Sequence, residues 1–130
     1  MSDKLHPVLT LRLFTDRKCF GPGVAALLHG VEARRSLRGA AQAMEMAYSK
    51  AWRIVREAED QLGFKLLSSS AGGRNGGGAV LTPEGARCLA AYDAYCAALR
   101  QQAEAAFRTS FGPWLAAASD PAEQPGTACE

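Results

Sequence analysis

The sequence holds little from which a reactive centre could be assembled. Among its 130 residues histidine occurs twice, at His6 and His29. The four cysteines, Cys19, Cys88, Cys96 and Cys129, include no CxxC pair and no Cys/His spacing of the kind that holds zinc. No HExxH, no Ser-His-Asp order and no paired carboxylates are found. The expectation is therefore a protein with no catalytic residue, no metal site and no cofactor, not an enzyme. Its cysteines read as small apolar fillers or inert thiols. Long apolar runs are also missing. None approaches the ~20 residues of a membrane span, and the N-terminus lacks a secretory pattern, so no membrane partner and a cytoplasmic location are expected. A strong excess of one charge is absent too, the formal net charge being +2.

What is present is a mixed, globular composition, 48% hydrophobic and 22% charged. The length suits one domain that buries roughly 70% of its unfolded surface. The charge is unevenly spread. From residue 34 to 74 there are eight bases (Arg34, Arg35, Arg38, Lys50, Arg53, Arg56, Lys65, Arg74) against four acids (Glu45, Glu57, Glu59, Asp60), a local +4. Such an excess is a footprint for phosphate contact.

Periodicity divides the chain into elements. Residues 8–20 alternate around a polar centre at 15–18, with Leu9, Leu11 and Leu13 on one side, which predicts a β-hairpin. After Gly21-Pro22-Gly23, the residues Val24, Leu27, Leu28 and Val31 mark one face of a first helix. Ser36 caps a short second helix to about Met44, in which Ala40 and Ala41 are small enough for close helix approach. A break at 45–47 precedes a third helix, 48–62, with an inward seam of Ala51, Val55, Ala58 and Leu62 and a stop at Gly63. Trp52 extends the seam and is expected in the core, as are Met44 and Met46. Residues 64–69 and 79–82 read as strands around AGGRNGGG at 71–78, a glycine-rich hairpin tip. Thr82 and Pro83 start a last helix to about 107, striped by Leu89, Tyr92, Cys96, Leu99, Ala103 and Phe107. Residues 112–130 read as a disordered tail.

This order predicts a mainly α fold with a small β wing (α+β): a winged helix-turn-helix in residues 1–111, followed by a long dimerisation helix at 83–108. Two short helices joined by a tight turn, the second polar on its outer face, suit the B-DNA major groove, which admits one helix. Double-stranded DNA is the expected partner. Tyr48, Ser49, Lys50 and Arg53 lie in the first two turns of the third helix, where base edges and phosphates are reached. Arg35 and Arg38 flank the second helix. Arg74 and Asn75 at the glycine tip are placed to grip backbone or minor groove. A nucleotide-binding loop is discounted, because GGRNGGG is followed by no GK[ST] and by no immediate helix. A 25-residue amphipathic helix is longer than a small domain can cover. Leu89, Tyr92, Cys96, Leu99 and Phe107 are therefore expected to meet a second copy in a two-fold homodimer.

The paired Ala40 and Ala41, the run Tyr48-Ser49-Lys50-Ala51-Trp52, the glycine-rich wing, the Leu81-Thr82-Pro83-Glu84-Gly85 segment and Phe20-Gly21-Pro22-Gly23 resemble the N-terminal DNA-binding domain of the molybdate-responsive ModE regulators. Leu62-Gly63-Phe64-Lys65-Leu66-Leu67 more distantly resembles LysR-type regulators. The resemblance covers about residues 8–108 and implies a sequence-specific DNA-binding transcriptional regulator, possible control of molybdenum-related genes included. Full-length members add C-terminal domains that bind molybdate. With no room for these after residue 112, the chain resembles the stand-alone members, and the effector is left open, molybdate included. Two positions depart from the family pattern. Ala47 replaces a serine, forfeiting a cap of ~0.5–2 kcal/mol. Arg35 replaces a glycine, adding charge near the expected DNA face. Ala47 and the acidic Glu45 at the turn keep an alternative open, a winged-helix protein-protein adaptor with weak or lost DNA binding.

Overall fold

The computed structural model describes residues 4–69 and 78–119. The elements follow in the order β1 (Leu13–Phe14), β2 (Lys18–Phe20), α1 (Pro22–Arg34), α2 (Leu37–Ala43), α3 (Tyr48–Leu62), β3 (Leu67–Ser69), β4 (Ala79–Leu81) and α4 (Pro83–Ser119). They divide into two compact units, Thr10–Tyr95 and a second made of the residues before Thr10 together with those from Cys96 onward.

In the Thr10–Tyr95 unit, α1 starts where Pro22 supplies a helical φ without needing its missing N–H. It buries Val24, Leu27, Leu28 and Val31. The first turn of α2 is capped by Ser36, whose hydroxyl accepts from the Gly39 amide at 2.8 Å. The two helices approach closely because Gly30 has no Cβ: one placed there would lie 2.6 Å from the Ala40 Cβ. α3 packs its Ala51-Val55-Ala58 seam inward, all three residues being at most 1% exposed. It ends where Gly63 takes φ 86°, a left-handed conformation that suits glycine. Phe20 of β2 is fully buried, its ring 5.0 Å from that of Tyr92 and tilted by 58°. Such a pair contributes ~0.5–1.5 kcal/mol beyond its area. The Tyr92 hydroxyl donates to the Leu11 carbonyl at 2.7 Å, and His29 of α1 meets Asp93 of α4 at 2.7 Å.

The two sheets are antiparallel pairs. β3 and β4 align Leu67 with Leu81, Ser68 with Val80 and Ser69 with Ala79. The β4 end is tied to the helices by the Ala79 amide, which donates to the Arg35 carbonyl at 3.0 Å. Thr82 then closes the wing base and opens α4 at once: its hydroxyl donates to the Lys65 carbonyl at 2.6 Å and accepts from the Gly85 amide at 2.9 Å. The first hairpin is shorter than the alternation of 8–20 predicts. Pairing joins only Leu13–Phe14 to Lys18–Phe20, with an irregularity between Leu13 and Phe14. Leu9 is half exposed and belongs to the other unit.

In the second unit, the extended residues before Thr10 and the later turns of α4 line a groove of about 330 Å³ among Pro7, Leu9, Ala97, Arg100, Ala103 and Glu104. Beyond it, Phe107 stacks on Phe111 at 5.0 Å, and Phe111 meets the edge of Trp114 at 6.1 Å. α4 runs past the expected end near 107, so residues 112–119 are helical where a tail was expected. Pro113 lies inside the helix. A proline removes one backbone bond, but the ring ladder at 107, 111 and 114 follows the helical repeat across that gap and holds the turns together. Residues 120–130 lie outside the described residues. None of the described helices is long and apolar enough to cross a membrane.

Candidate nucleic-acid interface

The turn between α2 and α3 is set by Glu45, which takes φ 55°, and by the Met46 amide, which donates to the Ala41 carbonyl at 3.0 Å. Met44 and Met46 are half-buried at this corner rather than in the core. Ala47 precedes α3 in an extended conformation and offers no side-chain cap. The Lys50 amide turns back to the Ala47 carbonyl at 3.1 Å, which leaves the amides of Tyr48 and Ser49 as the donors of the first turn, and the helix dipole adds partial positive charge there.

Around that helix start the basic side chains converge. Arg38, exposed on α2, lies with its guanidinium 4.2 Å from the Tyr48 ring centroid, so the cation bridges the two helices. Tyr48 is half-buried, while Ser49, Lys50 and Arg53 are exposed along the next turn and a half. Arg35 is exposed at the end of α1 and takes φ 62°, a left-handed conformation that favours glycine. Among the described residues, no carboxylate lies within 4.0 Å of Arg35, Arg38, Lys50, Arg53 or Arg56, whereas Lys65, Arg87 and Arg108 each have one. Glu57 and Asp60, both exposed, follow Lys50, Arg53 and Arg56 along α3, so the bases of the helix all precede its exposed acids. Arg74 and Asn75 of the wing tip lie outside the described residues.

Besides Met44 and Met46, three side chains differ from the sequence expectation. Trp52 is 39% exposed and is not a core residue. The small seam of Ala51, Val55 and Ala58 already fills the space beneath α3, and the indole is displaced to a flank, where it lines a groove with Leu37, Tyr48, Leu67 and Ala79. Leu89 and Tyr92, expected to face a second copy, are 3% and 6% exposed within their own unit. Tyr92 packs its ring on Phe20 of the same unit, and burial withdraws both residues from contact with a second copy. Cys96, Leu99 and Phe107 are half-buried.

Glu59 was missed by the sequence reading. It is 7% exposed, and one of its carboxylate oxygens accepts from the Leu66 amide at 2.8 Å and the Leu67 amide at 3.2 Å. Lys65 stands 3.8 Å from its other oxygen. This buried acid fixes the angle at which β3 leaves α3, and so where the wing starts. The signal was present: Glu59 follows Val55 by four residues and Ala51 by eight, which puts a carboxylate at the edge of the apolar seam. Among the cysteines, Cys19 is buried, and burial followed by the nearby Cys19 pushes the Cys88 thiol pKa up, keeping Cys88 protonated at neutral pH.

A tight helix-turn-helix with a β-hairpin after its second helix defines a winged helix-turn-helix, the architecture of DNA-binding transcriptional regulators. Residues 25–86 match the model of the bacterial regulatory helix-turn-helix proteins of the lysR family. The chain is also similar to the molybdenum-pterin-binding protein MopB of Rhodobacter capsulatus, 38% identical over 69 residues. That alignment covers 53% of this chain and 26% of MopB, so the chain spans about a quarter of the curated relative it matches.

Proposed function

We propose that this protein is a sequence-specific regulator of the ModE type, cytoplasmic and homodimeric, whose α3 enters the major groove of double-stranded DNA. The observation that carries this reading is the group of unneutralised cations around the uncapped start of α3. Lys50, Arg38 and Arg35 hold phosphates; Tyr48, Ser49 and Arg53 read base edges; Arg74 and Asn75 of the wing touch backbone or minor groove. Dimerisation runs through the part of α4 that includes Cys96, Leu99 and Phe107, and a two-fold pair matches half-sites about one helical turn apart. DNA binding is the one activity proposed. The similarity to MopB, whose name records molybdenum-pterin binding, supports control of molybdenum-related genes; no effector is assigned.

The test is capture of sheared genomic DNA on the purified protein at ~0.15 M salt, with and without molybdate. Enriched palindromic fragments are the expected result, and their neighbourhood identifies the regulated genes. A change with molybdate would make that anion the effector. No enrichment in either arm would overturn the reading in favour of an adaptor, which the acidic Glu45 at the turn permits.

A further inference from the structure

Trp52 and Arg56 have no role in the reading above, yet they form a distinct feature of α3. Ser49, Trp52 and Arg56 follow one another at three and four residues, and so share one flank of the helix. The Trp52 indole, the largest side chain of α3, keeps 39% of its surface exposed. The Arg56 guanidinium lies 5.7 Å from the centroid of that ring, within the range of cation-π attraction. Its acidic neighbours Glu57 and Asp60 do not neutralise it, for no carboxylate lies within 4.0 Å among the described residues. A guanidinium held by a ring keeps N–H donors at its edge, and the ring restricts the rotamers that would otherwise be lost on binding.

An exposed apolar ring beside a major-groove reader has one complementary feature on the base edges, the C5-methyl group of thymine. The later turns of a recognition helix lie further from the base edges than its N-terminus, and an arginine there reaches the strand backbone. Resting on the DNA-binding reading, we infer that Trp52 and Arg56 form a second readout unit: the indole packs against a thymine methyl next to the base met by Ser49, and Arg56, steadied on the ring, donates to a phosphate beside that thymine. Trp52 thereby determines specificity, and Arg56 contributes affinity that does not depend on sequence.

The test uses the full chain and the duplex that it selects from a randomised library. Each thymine is replaced in turn by deoxyuridine, which lacks only the methyl group. One position per half-site is expected to weaken wild-type binding about fourfold when changed, the worth of one buried methyl-sized group. Trp52→Ala is expected to bind the thymine and uridine duplexes equally. Trp52→Gln serves the same comparison if Trp52→Ala unfolds. Arg56→Ala is expected to lower the slope of log affinity against log salt by about 1. A uridine effect that persists without the indole, or the lack of any uridine effect, overturns the methyl contact, and an unchanged salt slope in Arg56→Ala overturns the phosphate contact. Should the wild-type protein select no duplex at all, the DNA-binding reading falls and this inference with it. Where selection succeeds, either failure removes the inference alone.

Discussion

Arg35 carries two opposed effects on one side chain. Its left-handed φ of 62° costs a non-glycine residue ~1–2 kcal/mol, while glycine would lose ~0.5–1 kcal/mol in backbone entropy. Arg35→Gly is therefore expected to stabilise the fold by about 0.5–1 kcal/mol in denaturant unfolding and, on the proposed function, to weaken DNA binding. A variant that gains stability and keeps full affinity would remove Arg35 from the interface. Arg53 has no such ambivalence. It is exposed, bonded to nothing within its own chain among the described residues, and set on the outward face of α3. Arg53→Ala is expected to lower affinity for the selected duplex by roughly 1–3 kcal/mol and to relax choice at one base pair, with little change in unfolding midpoint.

The wing depends on a carboxylate rather than on its own length. β3 and β4 have three residues each, too few to hold a hairpin alone. Glu59 supplies the anchor by accepting two backbone amides, so Glu59→Ala leaves both donors buried without that partner and is expected to cost about 2–4 kcal/mol in stability. A loss under 0.5 kcal/mol would show that water replaces the carboxylate. Sequence periodicity read some of these elements well and others poorly. α3 and its stop were legible because the seam spacing and Gly63 act locally. The Ser36 cap and the Thr82-Pro83 start were legible for the same reason. The end of α4 was not, because Gly112-Pro113 is a local stop signal that the aromatic ladder of Phe107, Phe111 and Trp114 offsets. The place of Trp52 was not legible, because size and apolarity do not suffice for burial where the space beneath α3 is filled by alanine and valine. Leu89 and Tyr92 showed a stripe that needed a partner, but a stripe does not say whether the partner is the same chain or another.

At the scale of the whole chain, the Thr10–Tyr95 unit carries the cation-rich early face of α3, and the second unit carries apolar side chains of α4 that are partly uncovered. Phe111 and Trp114 are 44% and 60% exposed, and Leu99 and Phe107 half-buried. If a second copy covers this face, Leu99→Asp is expected to halve the mass seen by sedimentation and to reduce affinity for a two-half-site duplex while sparing a single half-site. An unchanged mass would exclude this face as the dimer contact. The central claim is that the cations around α3 exist to meet phosphate in a defined DNA sequence. Its most direct test is the affinity of the wild-type protein for its selected duplex and for a scrambled duplex across a salt titration. The selected duplex is expected to bind at least ~10³-fold more tightly near physiological salt. Its affinity is expected to fall on the order of 10³-fold between about 50 and 200 mM salt, as for about six phosphate contacts. Equal affinity for the two duplexes, or an affinity indifferent to salt, would contradict the DNA-binding reading.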